Sequence, residues 1–390
     1  LTYNYTAHKE IRAELRSKLK DLRETAKRET KRDINEQKKV IFTEVRKGYI
    51  NNTYVERLVV FLRGTGCSLV KETGGCTFCG FYNATNFGVK IADEDYISQI
   101  KEVIEDAKVN FHQYPIICLY NDGSMLREEE ISIDGLIAII KILSEQDTVK
   151  KIVIEGRVED VSGQKLAKIR AATHKELEIA VGFESANPLI RDLCINKNFD
   201  NAVFEENCFR ARSHGISIIP LLMIKPPFLT EKEAVEDYID SLVFLEKFKF
   251  QRIDMELPTV EANTLVHELW KRGEYKPISF WSVIKILKAR QLLELKTPLY
   301  ISPPNYSVSA IDRTSNCDVC DPLIFEAIDK FNTFGEIYAF ESIECSCKAG
   351  WERKIKEEVK DADISKRVEA SLRAFSQEED SAAKEDIMIK

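Results

Sequence analysis

Six short apolar runs recur along this chain. They read RLVVFL at 57–62, IICLY at 116–120, KIVI at 151–154, LEIAVGF at 177–183, ISIIPLLMI at 216–224 and RIDMEL at 252–257. Amphipathic helical stretches separate them, around 93–108, 129–144, 162–173, 200–214, 231–247 and 263–272. Near-continuous apolar strands that alternate with helices signal a parallel sheet covered on both faces. Right-handed crossovers curl such units into an open or closed barrel. The expected fold class is therefore α/β, a six-unit (β/α) partial TIM barrel within residues 51–300.

The protein has 390 residues, enough for one large domain plus extensions. Four parts are expected: a basic helical arm over 1–50, the barrel over 51–300, a cysteine-containing module over 301–352, and a charged helix with a mobile tail over 353–390. Net charge is −7. Residues 8–47 carry 14 Lys/Arg against 8 Asp/Glu, a net of +6, which leaves about −13 for the remainder. Such an arm either touches a phosphate backbone or is a salt-bridged, solvated helix face. Helix is expected over 8–47, which is rich in Glu, Lys and Arg and free of proline. No apolar run reaches 18 residues, so no membrane span is expected. No secretory segment is visible, and a reducing, cytoplasmic location is expected.

Ten cysteines are present. Seven fall in two groups, Cys67/Cys76/Cys79 and Cys317/Cys320/Cys345/Cys347. Cys118, Cys194 and Cys208 stand alone and read as buried filler. Clustered thiols in an unsecreted protein read as metal ligands. The first group directly follows the first predicted strand, on the catalytic rim of a β/α barrel. A structural zinc site wants four ligands, and here there are three. Three thiolates suit a [4Fe–4S] cluster with one iron left open to a small molecule. The competing reading is zinc with a distant fourth ligand, His112 or His214.

GCTFCGF at 75–81, on the first loop of a β/α sequence, resembles the radical S-adenosylmethionine (SAM) superfamily. The gap between the first two cysteines is wider than usual there and is similar to that of the Elongator catalytic subunit group. Longer stretches resemble one narrower family, the radical SAM subunit of archaeosine synthase. These are YNDGSML at 120–126, IEGRVE at 154–159, VGFESAN at 181–187, INKNF at 195–199, LLMIKPPFLTEKEAVEDY at 221–238 and LVHELWKRGEYKPISFWSVIKIL at 265–287.

The resemblance implies that Cys67, Cys76 and Cys79 bind the cluster. SAM would meet Phe78, the loop residues Asn121, Gly123 and Ser124, and Glu155 and Ser185. Catalytic or substrate contacts would come from Glu155, Arg157, Glu184 and Lys225, with Glu256 a weaker candidate. The implied reaction is radical cleavage of the C–N bond of the lysine side chain in a lysine-bearing 7-deazaguanine at position 15 of tRNA. A lysine-transferring archaeosine synthase subunit and a low-potential electron donor would be partners.

The second cysteine group, CDVC at 317–320 and CSC at 345–347, matches a structural Zn2+ site. An auxiliary iron–sulfur cluster is its rival. This module, with the basic arm, is a candidate grip for tRNA or the partner. Two other readings stand beside this one. The first is another tRNA-modifying radical SAM reaction, methylthiolation or Elongator-like. The second is a metal-bearing assembly subunit without catalysis.

Overall fold

The structure is a computed structural model that describes residues 3–30, 34–51, 53–304, 309–358 and 363–388. Strands β1 (Phe42–Ile50) and β2 (Thr53–Phe61) pair antiparallel. From β2 onward the sheet is parallel: β3 (Ile116–Tyr120), β4 (Lys151–Gly156), β5 (Glu176–Gly182), β6 (Ser217–Met223) and β7 (Ile253–Glu256) follow in order. A two-residue strand β8 (Thr259–Val260) leaves the main sheet, and β9 (Leu299–Ile301) closes its far edge against β7. A short β10 (Asp312–Arg313) pairs with β8. The main sheet thus has eight strands, seven of them parallel.

All six predicted strands are present, and the six helices between them are too. The helices are numbered α1 (Lys9–Glu29), α2 (Ser68–Thr73), α3 (Asp93–Glu105), α4 (Ile133–Ser144), α5 (Gly163–Ala171), α6 (Asn201–Ser213), α7 (Glu231–Glu246), α8 (Leu265–Lys271), α9 (Phe280–Leu292), α10 (Asp321–Phe334), α11 (Cys347–Glu357) and α12 (Ile364–Met388). Ser132, Ser162, Thr230, Thr264 and Ser279 open five of them, each side chain accepting a backbone N–H that the first turn leaves unpaired.

Two expectations need correction. Helix over 8–47 holds only to Glu29, because residues 42–50 form β1. Charge suggests helix there, yet Phe42, Thr43, Val45, Tyr49 and Ile50 are β-formers with a strand beside them to pair with. The stretch from 353 is two helices, and α12 continues to Met388 where a tail was expected. Its inner face buries Val368, Leu372 and Phe375. The cysteine module has no core of its own. Ile324, Ala327, Ile328 and Phe331 of α10 belong to the same hydrophobic core as the barrel. Among the described residues no helix is long and apolar enough to cross a membrane.

Period-2 alternation along each strand sends one set of side chains to the concave face. Register aligns Val59 with Cys118, Cys118 with Val153 and Val153 with Glu178, an inner row that runs across the sheet. Within and beside this row lie charges that are almost wholly buried: Arg57, Lys151, Glu178, Arg252 and Asp254. Arg57 on β2 reaches Asp254 on β7, at 3.7 Å, and lies 4.8 Å from the ring centre of Tyr300 on β9. β2 and β7 are five places apart in the sheet, so these contacts cross its hollow. Arg252 also pairs with Asp254, and Lys151 with Glu178 at 2.6 Å. The sheet is therefore a curled, open half-barrel whose floor is an ion-pair network.

Removing one partner of a buried pair leaves an uncompensated charge, which costs about 3–5 kcal/mol. Asp254→Ala should accordingly lower unfolding stability in urea by about 3 kcal/mol or more. Replacing Arg57 and Arg252 by Met along with Asp254→Leu should cost less than that single change, since the charges that Asp254 neutralises are then gone as well.

Candidate active site

The concave face opens at the C-terminal ends of the strands into a cavity of about 220 Å³. The upper row of strand residues lines it: Phe61, Tyr120, Glu155, Gly182, Met223 and Glu256. The loop after β2 brings Cys67, Cys76, Phe78 and Cys79 to the same space. All three cysteines are free thiols. Burial raises each thiol's pKa, Cys79 to about 12. Glu130, Glu184 and Glu261 raise them further, while Arg23, Arg157 and Lys197 pull the other way. Buried thiols of this kind give up their protons when a metal arrives. Three soft sulfur donors on one loop, with the cavity open on the other side, suit a group that takes three thiolates and one small-molecule ligand.

The cysteine loop is held from several directions. Arg23 of α1 donates to Gly74 O at 3.1 Å and to Cys76 O at 2.9 Å. Asn196, just after a π-type turn at Ile190–Ile195, donates to Thr73 O at 3.0 Å and Gly75 O at 2.8 Å. Thr77 Oγ1 donates to Cys194 O at 2.6 Å. The α1 stripe Arg12, Leu15, Leu19, Arg23 and Ala26 is buried, and Arg12 pairs with Asp192. The exposed face of α1 carries Lys9, Lys20, Lys27 and Arg28 against Glu10, Asp21, Glu24 and Glu29, so it is balanced in charge. The helical part of the basic arm is thus a wall of the site.

The loop after β3 is braced by two carboxylates, Glu155 half-buried at the cavity and Glu130 buried. Glu155 accepts the backbone N–H of Asn121 and, at 3.1 Å, that of Gly123. Glu130 accepts Ser124 N at 2.6 Å and both Ser68 N and Ser68 Oγ at 2.8 Å. A Cβ at Gly123 would collide with the Glu130 carboxylate and sit 3.2 Å from Cys67 Cα, so only glycine fits. Gly80 is equally constrained, its missing Cβ leaving room for Glu261. Asp122, at φ +57, presents a carboxyl with one oxygen that has no partner. Burial and the nearby Glu155 and Glu261 hold its pKa well above the usual carboxylate range. Burial likewise lifts Glu155 to about 8 and Glu261 to about 7.

Of the residues predicted for the site, Cys67, Cys76, Phe78, Cys79, Gly123, Glu155, Arg157 and Glu184 line the cavity. Arg157 is held by Asp160 at 3.1 Å. Glu184, at φ +65, pairs with Lys197 at 2.6 Å. Asn121 and Ser124 are buried behind the wall and shape the loop. Ser185 turns away and donates to Asp237 at 2.7 Å. Lys225 lies outside the cavity. Strand alternation ends at Met223, and a positive φ of 60° at Lys225 swings its side chain to Lys276 O, at 2.7 Å, and to within 3.9 Å of Glu231. Burial brings its pKa down to about 8. His112 is exposed, and His214 bonds Arg210 O at 2.8 Å; neither lines the cavity.

Arg23, Arg46, Asp122, Lys197 and Glu261 line the cavity without having been singled out. The available signals were YNDGSML at 120–126, which contains Asp122, and INKNF at 195–199, which contains Lys197. Arg46 was hidden by the helical reading of its segment.

The second cysteine group does converge. The four sulfurs lie within 4.8 Å of one another. Cys317–Cys320, Cys317–Cys345 and Cys320–Cys347 are 3.5, 3.6 and 3.7 Å apart. Trp281 Nε1 donates to Cys347 Sγ at 3.2 Å, tying the group to α9.

Deprived of the hydrogen bonds from Arg23 or Asn196, residues 74–79 should open more often. Arg23→Gln and Asn196→Ala should each raise amide hydrogen exchange over that segment by about tenfold, the equivalent of about 1.4 kcal/mol. Exchange in β3 to β5 should stay unchanged.

No family profile matches the sequence. It is similar to archaeosine synthase subunit beta of Methanosarcina acetivorans, 29% identical over 306 residues, 78% of this protein and 86% of that one. The protein of the same name from Thermococcus kodakarensis is 28% identical over 298 residues, 76% and 90% of the two. An uncharacterised protein of Methanocaldococcus jannaschii is 32% identical over 306 residues, 78% and 83%. Among solved structures, Elp3 of Methanocaldococcus infernus has a TM-score of 0.45 at 15% identity, covering 60% of this protein and 57% of that one. Methylornithine synthase has a TM-score of 0.43 at 12% identity, covering 92% and 95%.

Proposed function

This protein belongs to the family of archaeosine synthase beta subunits, and on that footing we propose that it is a radical SAM lyase acting on tRNA. Its substrate would be a 7-deazaguanine at position 15 that carries a lysine, and it would break the C–N bond of the lysine side chain. The nitrogen would stay on the base as the amidine of archaeosine. One observation carries the reading: three free thiols on one loop share a buried, charged cavity at the C-terminal ends of a parallel half-barrel.

When bound, a [4Fe–4S] cluster with SAM supplies one-electron cleavage to methionine and a 5′-deoxyadenosyl radical able to take hydrogen from an unactivated carbon. Cys67, Cys76 and Cys79 would hold the cluster. Phe78 would pack on the adenine. The carboxyls of Asp122 and Glu155 suit an ammonium group, and Lys197 and Arg157 suit a carboxylate. Asn121, Gly123 and Ser124 would set the backbone edge of that pocket, with Ser185 and Asp237 bracing the Glu184 turn from behind. The walls would keep water from the reacting carbon.

The partner would be the lysine-transferring subunit, and a low-potential donor in a reducing, cytoplasmic setting would supply the electron. A methylthio-transferase would want a second open three-thiolate set, whereas the second group here gathers four sulfurs at one point. Anaerobic reconstitution should give about four iron and four sulfide per protein molecule at the first site. Cys67→Ala, Cys76→Ala and Cys79→Ala should each abolish 5′-deoxyadenosine release on reduction while the circular dichroism is kept. A colourless protein that holds zinc alone would sink the proposal.

The same reading puts Zn2+ in the second group. With Zn–S of about 2.3 Å, a tetrahedral site has sulfurs about 3.8 Å apart, close to the 3.5–3.7 Å of three of the six pairs here, all within 4.8 Å. An auxiliary cluster would spread its thiolates over separate irons. Metal analysis should find one zinc per protein molecule, lost in Cys317→Ala. Because α10 shares the barrel core, that loss should lower the melting temperature as well as expose α10 and α11 to protease. Iron at this site in protein purified anaerobically would overturn the assignment.

A further inference from the structure

The inner end of the cavity differs in chemistry from the cysteine end. Its wall is largely apolar, built by Phe61, Tyr120, Ala180, Leu221 and Met223. Two charged side chains interrupt that wall, Arg46 from β1 and Glu256 from the end of β7. These strands lie toward opposite edges of the sheet, and its curl makes both line one cavity.

Charges separate along the cavity. The cysteines feel Arg23, Arg157 and Lys197. Glu256 feels Asp254, Arg46, Glu184 and Arg57. Around the inner end the cations are Arg46, Arg57, Lys151 and Arg252, and the carboxylates paired with them are Glu44, Glu176, Glu178 and Asp254. Four against four leaves Glu256 as the carboxyl outside these pairs. Arg46 is paired with Glu44 at 3.2 Å and still borders the cavity. The Glu256 carboxyl is partly exposed to the cavity, and among the described residues no side chain forms a salt bridge or hydrogen bond to it. Lined by one guanidinium and one carboxyl outside any salt bridge, this end suits a ligand bearing both signs.

We infer that Arg46 and Glu256 form the receptor for the free amino-acid end of the substrate's lysine, Arg46 taking the α-carboxylate and Glu256 the α-ammonium. This rests on the lysine-bearing substrate proposed above. The planar guanidinium matches a carboxylate in two-point geometry. The apolar wall between the pair and the cysteine end covers the lysine methylenes. Held by its head group, the lysine runs back toward the cysteine end, where its hydrogen would be taken. Arg46 and Glu256 act here as specificity residues, distant from the bond that breaks.

The test uses the full-length protein, reconstituted, with its partner subunit and two tRNAs: one carrying lysine and one carrying cadaverine, which lacks only the carboxylate. For the unaltered protein, kcat/KM should favour the lysine substrate at least tenfold. Arg46→Gln should erase that preference, lowering the lysine substrate and leaving the cadaverine one within about twofold, and Arg46→Lys should restore part of it. A third tRNA, with the lysine α-amine acetylated, should be rejected at least tenfold by the unaltered protein and not by Glu256→Gln. This second variant keeps shape, so the test stands even where Arg46→Gln fails to fold. Equal turnover of lysine and cadaverine substrates by the unaltered protein overturns the inference while leaving the lyase reading intact. A preference that survives in both Arg46→Gln and Glu256→Gln also overturns it. No product from any of the tRNAs would instead bring down the proposed reaction, and this receptor with it.

Discussion

Arg57 is the residue around which the sheet closes on itself. Its guanidinium is fully buried on β2 and meets Asp254 and Tyr300 from the far strands. A flat parallel sheet would leave that charge facing open space. The curl gives it a counter-charge and an aromatic face, and the same curl gathers the upper row of strand residues into one cavity. Such pairs contribute little net stability over a well-packed apolar floor, but they define which arrangement is allowed, since any slip of register orphans several charges together.

Above that floor, the cysteine loop owes its shape to elements far from it in the sequence. Arg23 of α1 and Asn196 donate hydrogen bonds to its carbonyls, and the π-type turn accepts two from Thr77. A loop with four glycines between or beside its cysteines has little conformational preference of its own. External donors therefore do what local sequence does not. A consequence is that the N-terminal helix, basic in composition, commits three of its arginines to structure: Arg12 to Asp192, Arg16 to Asn196 and Arg23 to the loop.

The two cysteine groups illustrate two uses of the same donor. One opens onto a cavity lined by ionisable side chains. The other is drawn together, its sulfurs within 4.8 Å of each other and backed by Trp281 and Asn316. The second also joins the ends of the fold. Glu231 of α7 bonds Ser279 and Ser282 of the α9 start and pairs with Lys354 of α11, while Arg367 of α12 grips Glu233. The carboxy-terminal helices are thus fastened to the barrel by charge as well as by their shared core.

Local pattern alone was enough for the six parallel strands, the helices between them and the two cysteine groups. Each of these is written in spacing of a few residues: alternation along a strand, helical periodicity, ligand intervals. Pattern misled at β1, whose charges favour helix until β2 is beside it, and it left β9 unassigned because three residues carry too little signal. Which side chains face the cavity was settled by the folded arrangement and by nothing shorter in range. Lys225 ends a strand like Glu155 and yet points outward, because one residue with positive φ breaks the alternation. Arg23, Arg46 and Lys197 come from a terminal helix, an edge strand and the segment after a π-type turn, and they meet the cysteines' cavity from up to 174 positions apart in numbering, 23 to 197. No local pattern encodes such a meeting, because it depends on how far the sheet curls and on what the curl brings across it.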